Sequence, residues 1–116
     1  MRSIDNLALV EFNPSKSWMI TYNQLHALDP TEVEDYHDTK YSLWAMFFVQ
    51  DLLQIENKYN GLLIDVGWYP EADPTGCYKL ILVKKNSDGF DWHNPKEEFA
   101  TNNLNNLLFK INKLIS

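Results

Sequence analysis

The spacing of apolar residues changes at Asn60-Gly61 and returns to its first period at Leu104. Before Asn60 apolar residues recur at three- and four-residue steps, the spacing of one face of a helix. After Gly61 they alternate with polar or small residues from Leu62 to Tyr69, the period of a strand whose successive side chains point to opposite faces. The pattern therefore predicts helices in the first half of the chain and strands followed by a helix in the second.

Three short segments precede the longest predicted helix. Residues 3–11 predict a weak helix, for which a strand is the open alternative. Asn13-Pro14 places a capping side chain before a proline at the first helical position, where the missing N–H is not needed. Asp29-Pro30-Thr31-Glu32 repeats this start signal with an acid at the third helical position and predicts another helical turn. Apolar residues at helical spacing follow the first proline: Trp18, Met19, Tyr22, Leu25 and His26.

The longest helix is predicted over residues 41–59. A second apolar row, beginning at Leu43 and Phe47, widens its stripe and predicts packing on more than one neighbour. Asn60-Gly61 would end it, since both residues tolerate a left-handed backbone. The main stripe consists of Tyr41, Trp44, Phe48, Leu52, Ile55 and Tyr59.

Alternating segments and turn residues predict the second half. Strands are expected at 62–69 and 77–85, with turns at 70–76 and 86–89. A third, more polar strand includes Lys96 to Ala100, an edge strand whose charges would discourage edge-to-edge association. An amphipathic helix begins at Leu104. The predicted fold class is α+β, in one domain of residues 1–116: N-terminal helices, a three-stranded antiparallel β-meander, and a C-terminal amphipathic helix packed on the sheet.

Charge narrows the class of partner. The 116 residues include sixteen acids and ten bases, a net charge of −6. Nucleic-acid binders need basic side chains to neutralise phosphates, so direct nucleic-acid binding is not expected. A basic protein partner is compatible with this charge. Residues 1–38 carry seven acids and two bases, net −5, whereas residues 39–116 carry nine and eight, net −1.

Cysteine content and apolar run length indicate the compartment. Cys77 is the only cysteine, so no disulfide within the chain and no cysteine zinc site can form. Asp5 and Glu11 interrupt the apolar stretch that a signal peptide needs. The longest apolar run, 43–49, is far shorter than the roughly twenty residues that span a bilayer. We therefore expect a cytoplasmic protein with no membrane partner.

No pattern of residues predicts catalysis or a cofactor. The three histidines (His26, His37 and His93) are dispersed, and neither a nucleophile elbow nor a phosphate-binding glycine loop occurs. Residues 86–89 resemble the middle of an EF-hand loop, but Lys84 would occupy its first ligand position. The sequence therefore predicts a non-enzyme with no catalytic, cofactor-binding or metal-binding residue.

An acidic segment is the first candidate for partner binding. Two interpretations stay open: a solvated helix start whose acids favour the helix dipole, or a docking surface for a cationic protein. A metal site that includes His37 lacks a recognised ligand spacing. The segment contains Asp29, Glu32, Glu34, Asp35 and Asp38, with no basic residue among them.

The second candidate follows the first predicted strand. Asp65 lies between large apolar residues, and Tyr69, Glu71 and Asp73 are expected at the strand end. An aromatic ring beside carboxylates suits an arginine or lysine of a partner. Turn formation alone is the structural alternative. The same combination recurs one turn later in Asp88, Asp91 and Trp92.

The second half of the chain also resembles a protein family. Residues 61–115 are similar to small immunity proteins of bacterial contact-dependent growth inhibition systems. The resemblance rests on Ile64-Asp65-Val66-Gly67-Trp68-Tyr69-Pro70-Glu71, Asp73-Pro74-x-Gly76, Asp91-Trp92, Asn94-Pro95, Glu98-Phe99 and a closing helix.

This resemblance implies a cytoplasmic, non-catalytic inhibitor that neutralises a cognate toxin domain, the C-terminal region of a secreted effector. Many such toxins are nucleases with basic clefts, which fits the acidic excess. The alternative is a small acidic interaction or adaptor domain unrelated to toxins. The expected partner-binding residues are the five acids of residues 29–38 together with Glu71, Asp73, Asp88 and Asp91.

Overall fold

The computed structural model describes residues 8–33 and 43–116. Within them, a short 3₁₀ helix (Pro30–Glu32) and two α-helices accompany six strands. The helices are α1 (Leu43–Phe47) and α2 (Leu104–Ile115). The strands are β1 (Met19–Asn23), β2 (Leu53–Asn57), β3 (Leu62–Tyr69), β4 (Cys77–Asn86), β5 (Gly89–Phe90) and β6 (Glu97–Thr101).

All strand pairs are antiparallel. The main sheet has the order β1-β2-β3-β4-β6, so β1 and β6 are its edges. The two-residue β5 pairs only with the end of β4, where Asn86 to Gly89 close a hairpin. The prediction of an α+β fold with an antiparallel sheet and a C-terminal helix is confirmed.

One face of the sheet carries the core. Ile55, Ile64 and Leu80 are completely buried on this face, and α2 covers it with Leu107 and Ile111. The helix begins at Asn103, whose Oδ1 accepts the Asn106 N–H at 3.0 Å, an N-cap that satisfies one of the free donors of the first turn. We call this the covered face.

An aromatic cluster fills the β3–β4 end of the covered face. Trp68 packs edge-on against Tyr78 and Phe48, with ring centroids 5.0 Å apart in both pairs. Its indole Nε1–H donates to the carbonyl of Asp73 at 2.8 Å, which gives the buried polar group a partner. The ring therefore connects the core to the β3–β4 loop.

The predicted helix after Asn13-Pro14 is wrong. Residues 19–23 form β1, and Leu9 makes an isolated bridge with His26. Met19 and Thr21 are exposed while Ile20, between them, packs on the core, which is a period of two. The apolar stripe of the predicted helix does not include Ile20. In β1, Ile20 pairs with Ile55 of β2 and is partly buried against the core.

The helix predicted over 41–59 is largely wrong. Of the described part of this segment, 43–59, only α1 is helical, and 53–57 forms β2, with Leu53 and Ile55 turned into the core. The step from Leu52 to Ile55 fits a helix, but Leu53 and Ile55 also fit a strand, and pairing on both sides decides between them. Asn60-Gly61 therefore closes the β2–β3 hairpin, with Gly61 at φ +66°, instead of ending a helix.

The predicted three-stranded meander is too small, because β1, β2 and β5 extend it. Its three strands are present at 62–69, 77–86 and 97–101. The turn predicted after Asp29 is also present: Asp29 caps the 3₁₀ helix and accepts the N–H of Thr31 at 3.0 Å. The first part of the predicted 3–11 helix and Tyr41 lie outside the described residues.

Candidate protein-interaction surface

The second face of the sheet, opposite α2, is the candidate site, and we call it the open face. Directly paired residues in antiparallel strands point to the same side, so the register gives its composition in rows. One row is Met19, Glu56, Leu63 and Val83. The next row is Tyr22, Gln54, Asp65, Ile81 and Glu98. The third row is Gly67, Lys79 and Ala100, and Tyr69 and Cys77 follow.

The open face combines large apolar side chains with carboxylates. Met19 is 56% exposed and Tyr22 is 42% exposed, although both lie in a strand. Of the acids in these rows, Glu98 is exposed and Asp65 is half-buried. Lys79 is the one base in the rows just given. A surface that is apolar and negative suits a partner that is apolar and positive.

A loop crosses the end of this face and brings in a further acid. A Cβ on Gly67 would overlap the carbonyl oxygen of Gln50, so only glycine lets the 48–51 segment pass this close to β3. Backbone bonds hold the segment there: the Trp68 N–H donates to the Val49 carbonyl at 2.8 Å. Asp51, at the end of this crossing, comes close enough to affect Asp65 and Tyr69.

Three carboxylates surround Tyr69 as a result. Burial, followed by the charges of Asp65, Asp51 and Glu71, raises the pKa of Tyr69. Burial also raises the pKa of Asp65; the hydrogen bond from Gln54 Nε2, at 3.0 Å, opposes this, and Asp51 adds to it. Glu71 accepts the Gln50 N–H at 3.3 Å, which ties the β3–β4 loop to the crossing segment.

Lys79 makes a cation–π contact at this end of the face. Its Nζ lies 5.8 Å from the centroid of the Tyr69 ring. A cation over an aromatic face is attracted by the ring quadrupole. The chain's own lysine thus makes the kind of contact that a cationic partner side chain would make beside the carboxylates.

The opposite end of the sheet has a different character. Phe90 and Trp92 pack at 6.3 Å, and Trp92 is 48% exposed. Lys85, opposite Phe90, and Lys84 are both exposed. Asp88 lies in the β4–β5 turn, and Asp91 donates its N–H to the Lys84 carbonyl at 2.9 Å. Acids and bases are mixed here, whereas the Tyr69 end is acidic.

The predicted second acidic group is therefore divided. Glu71 and Asp73 lie in the β3–β4 loop, whereas Asp88 and Asp91 lie beyond the other end of β4. The ten residues of β4 separate the two pairs by about 30 Å at a strand rise of roughly 3.3 Å per residue. Asp73 also has a local role, since Thr75 donates to it through Oγ1 at 2.7 Å and N–H at 2.8 Å and lowers its pKa.

The acids of residues 29–38 are only partly placed. Asp29 is half-buried and caps the 3₁₀ helix, where its Oδ1 also accepts the Thr31 hydroxyl at 2.8 Å. It lies near Tyr78, whose pKa burial raises first and Asp29 raises further. Glu32 is exposed. Glu34, Asp35 and Asp38 lie outside the described residues.

Sequence reasoning missed several residues of the open face. Met19 and Tyr22 were assigned to a helix face, and Asp51 and Glu56 were included in the long helix. Glu98 was interpreted only as an edge charge. Alternation in 53–57 is the signal that could have found Glu56. Residues 18–23 do not alternate, and a register shift interrupts β1 between Ile20 and Tyr22. No local signal indicates Asp51, which depends on the crossing over Gly67.

The described residues include a groove but no cluster of potential metal ligands. In residues 8–33 and 43–116, no group of three or more His, Cys, Asp or Glu side chains could hold a metal ion. A shallow groove of about 280 Å³ is lined by Lys79, Leu80, Ile81, Glu98, Phe99 and Ala100. Neither helix in these ranges is long and apolar enough to cross a membrane.

No family model matches the chain, and no curated protein or solved structure matches it significantly.

Proposed function

We propose that this protein is a cytoplasmic immunity protein that binds a basic toxin domain through the open face of its sheet. The observation that supports this proposal is the combination of exposed Met19 and Tyr22 with the carboxylates around Tyr69 on the sheet face opposite α2, where Leu63 and Val83 are themselves buried. Apolar and aromatic anchors contribute most of the binding energy of protein interfaces, and charge sets the partner and the encounter rate. The inhibitor blocks its partner by covering a positively charged surface, such as the substrate surface of a nuclease.

The open face is a better binding surface than the acids of residues 29–38 that the structure describes. The Asp29 carboxylate already accepts two hydrogen bonds from Thr31 and lies near Tyr78, so it interacts with groups of its own chain. Tyr22, Glu56 and Glu98, by contrast, share one sheet surface whose geometry the strand register defines. Rigid strands present such groups with less ordering cost than a loop does.

The test uses the domain encoded by the gene directly upstream, where a secreted effector is expected. Its C-terminal region is co-expressed with this chain, and retention of the complex and survival of the host cells are measured. The open-face variant Tyr22→Ala/Glu56→Lys is expected to weaken binding by at least about tenfold, because it removes an aromatic anchor and reverses a charge. Absence of any complex would contradict the proposal.

Two controls separate the candidate surfaces. Asn105→Lys/Asn112→Lys adds two positive charges on the exposed side of α2 and should leave affinity within about twofold, because charges outside an interface act weakly through salt. Reversal of Glu34, Asp35 and Asp38 together tests the acidic segment. If that triple variant abolishes binding while the open-face variant does not, the interface is the acidic segment and not the open face.

An adaptor domain with a peptide partner is the second candidate. The mixed end of the sheet, where Phe90 and Trp92 pack beside Lys84 and Lys85, favours a partner of less uniform charge. Trp92→Ala distinguishes the two: in the inhibitor it is expected to matter less than Tyr22→Ala, and in an adaptor that binds through this end it would matter more.

A further inference from the structure

The free edge of β6 differs from the free edge of β1. β1 contains a register shift between Ile20 and Tyr22, and such irregularities protect an edge from further pairing. β6 pairs with β4 in unbroken register over five residues, and this pairing leaves its outer edge regular. Glu98 and Ala100 are both exposed.

The hydrogen-bond pattern shows which backbone groups point outward. The Lys85 N–H donates to the Gly61 carbonyl at 2.7 Å, so the odd-numbered residues of β4 direct their backbone groups to β3. The carbonyls of Leu82 and Lys84 accept bonds from Lys96 and Asp91, so the even-numbered residues face the other way.

Alternation then assigns the groups of β6. Because Tyr78 and Leu80 face β6, their partners Thr101 and Phe99 direct their backbone groups to β4. The N–H and C=O of Glu98 and Ala100 therefore point away from the sheet. No backbone bond from another described segment reaches these four groups.

We infer that β6 pairs with β6 of a second copy of this chain about a twofold axis at Phe99. In this register Glu98 of one copy lies opposite Ala100 of the other, in both directions. The outward groups of the two residues then form four backbone hydrogen bonds, which a hydrogen-bonded antiparallel pair requires. The two Phe99 side chains face each other on the covered side, and aromatic cross-strand pairs are favourable.

Charge complementarity selects a second copy as the occupant. Lys79 of β4 is the direct partner of Ala100 of β6. The register of the dimer therefore aligns Lys79, Ala100 and Glu98 of the second copy in one row. The Cα atoms of Lys79 and that Glu98 are then about 10 Å apart, the sum of two cross-strand spacings. The small side chain of Ala100 leaves room for the two long side chains to meet above it, and to do so the Lys79 Nζ leaves its place over the Tyr69 ring.

The groove on this edge fits the same arrangement. Lys79, Glu98 and Ala100 all line it, so the Glu98 carboxylate of the second copy would enter a space that Lys79 already borders. The twofold axis forms this ion pair twice and places no like charges directly opposite each other within β6. The dimer joins the two five-stranded sheets into one sheet of ten strands. The exposed side chains of both open faces stay accessible.

Sedimentation velocity over a range of concentrations tests this dimer with the full chain. The protein is expected to approach twice its 13.6 kDa mass as its concentration rises. Ala100→Pro removes an outward N–H without breaking the ladder to β4, since proline is tolerated at an edge when its nitrogen faces solvent. This variant should stay monomeric, and circular dichroism should show a retained fold.

A charge exchange tests the register. Lys79→Glu and Glu98→Lys should each weaken the dimer about tenfold, because each places two like-charged pairs together, and the double variant should recover to within about threefold. Asn112→Lys, on α2, is the control for a change of net charge. A wild-type chain that stays monomeric at about 1 mM, or a dimer that Ala100→Pro and the exchange leave unchanged, would overturn the inference.

Discussion

The two faces of the sheet share strands but differ in what their side chains contribute. On β3, Trp68 is completely buried on the covered face, while its neighbours Gly67 and Tyr69 belong to the open face. The covered face gains stability from apolar area removed from water, which is the dominant favourable term in folding. The open face leaves Met19 and Tyr22 partly in water and concentrates carboxylates around Tyr69. Most of the buried core therefore lies on the covered face, whereas Met19 and Tyr22 of the open face stay accessible to solvent.

The largest expected contrast is between Trp68→Ala and Tyr22→Ala. Trp68→Ala should lower the free energy of unfolding by about 3–5 kcal/mol, because it leaves a cavity and removes the contacts to Phe48 and Tyr78. Tyr22→Ala should cost less than about 1 kcal/mol, since exposed substitutions rarely cost more. Urea denaturation of both variants measures this. Equal losses would mean that the open face is part of the core.

The next largest effect is expected at Gly67, where the 48–51 segment crosses β3. Gly67→Ala should cost about 1–3 kcal/mol, the typical cost of forcing an extra methyl into a packed site, because the new Cβ meets the Gln50 carbonyl. Gly89→Ala measures backbone strain in place of a clash, because nothing lies within 4 Å of its Cβ while its φ of +116° strains an alanine. A Gly67 variant as stable as the wild type would contradict the close passage.

The smallest expected effect is on stability, which the charges of Asp65 and Asp73 should change in opposite directions. Asp65 has a raised pKa, so its charge costs stability above that pKa, and the cost disappears below the unfolded value of 3.8. Asp65→Asn should therefore raise the unfolding temperature at pH 7 and have no effect at pH 3. Asp73 has a lowered pKa, so its carboxylate contributes stability above 3.8 that is lost as the pH falls through the lowered pKa.

Asp73→Asn is thus expected to lower the unfolding temperature at pH 7, the reverse of Asp65→Asn. Thermal unfolding of both variants and the wild type between pH 3 and pH 7 measures the two signs. If Asp65→Asn destabilises the chain at pH 7, the Asp65 carboxylate is held by favourable bonds and not kept at a cost on the open face.

The second half of the chain could be predicted from its sequence because its signals are local. Alternation in 62–69, turn residues at 86–89 and the apolar stripe from Leu104 each specify one element. β1 and β2 could not be predicted in this way, because 18–26 and 52–59 contain apolar steps that fit either period. The pairing of Ile20, partly buried against the core, with the buried Ile55 decides them, and these two residues are more than thirty positions apart.

The candidate site was predicted only in part for the same reason. Asp65, Tyr69 and Glu71 are close in sequence and in space, so their combination could be found by inspection. Asp51 reaches them only because a segment crosses Gly67, and Met19, Tyr22 and Glu56 join them only through strand register. Asp73 and Asp88 were grouped because both belong to turns that combine acids with an aromatic residue, but they lie at opposite ends of β4.

The strand order has a consequence for how the chain folds. The β2–β3 and β4–β5 hairpins close over short loops, and β3–β4 and β4–β6 join neighbouring segments, so these pairs can form early at little loop-closure cost. β1 must instead return across about thirty residues to reach β2. We expect β1 to be the last strand to join the sheet and the first to leave it, so that the amide of Tyr22, which faces Gln54 of β2, exchanges with solvent sooner than the amides of β3.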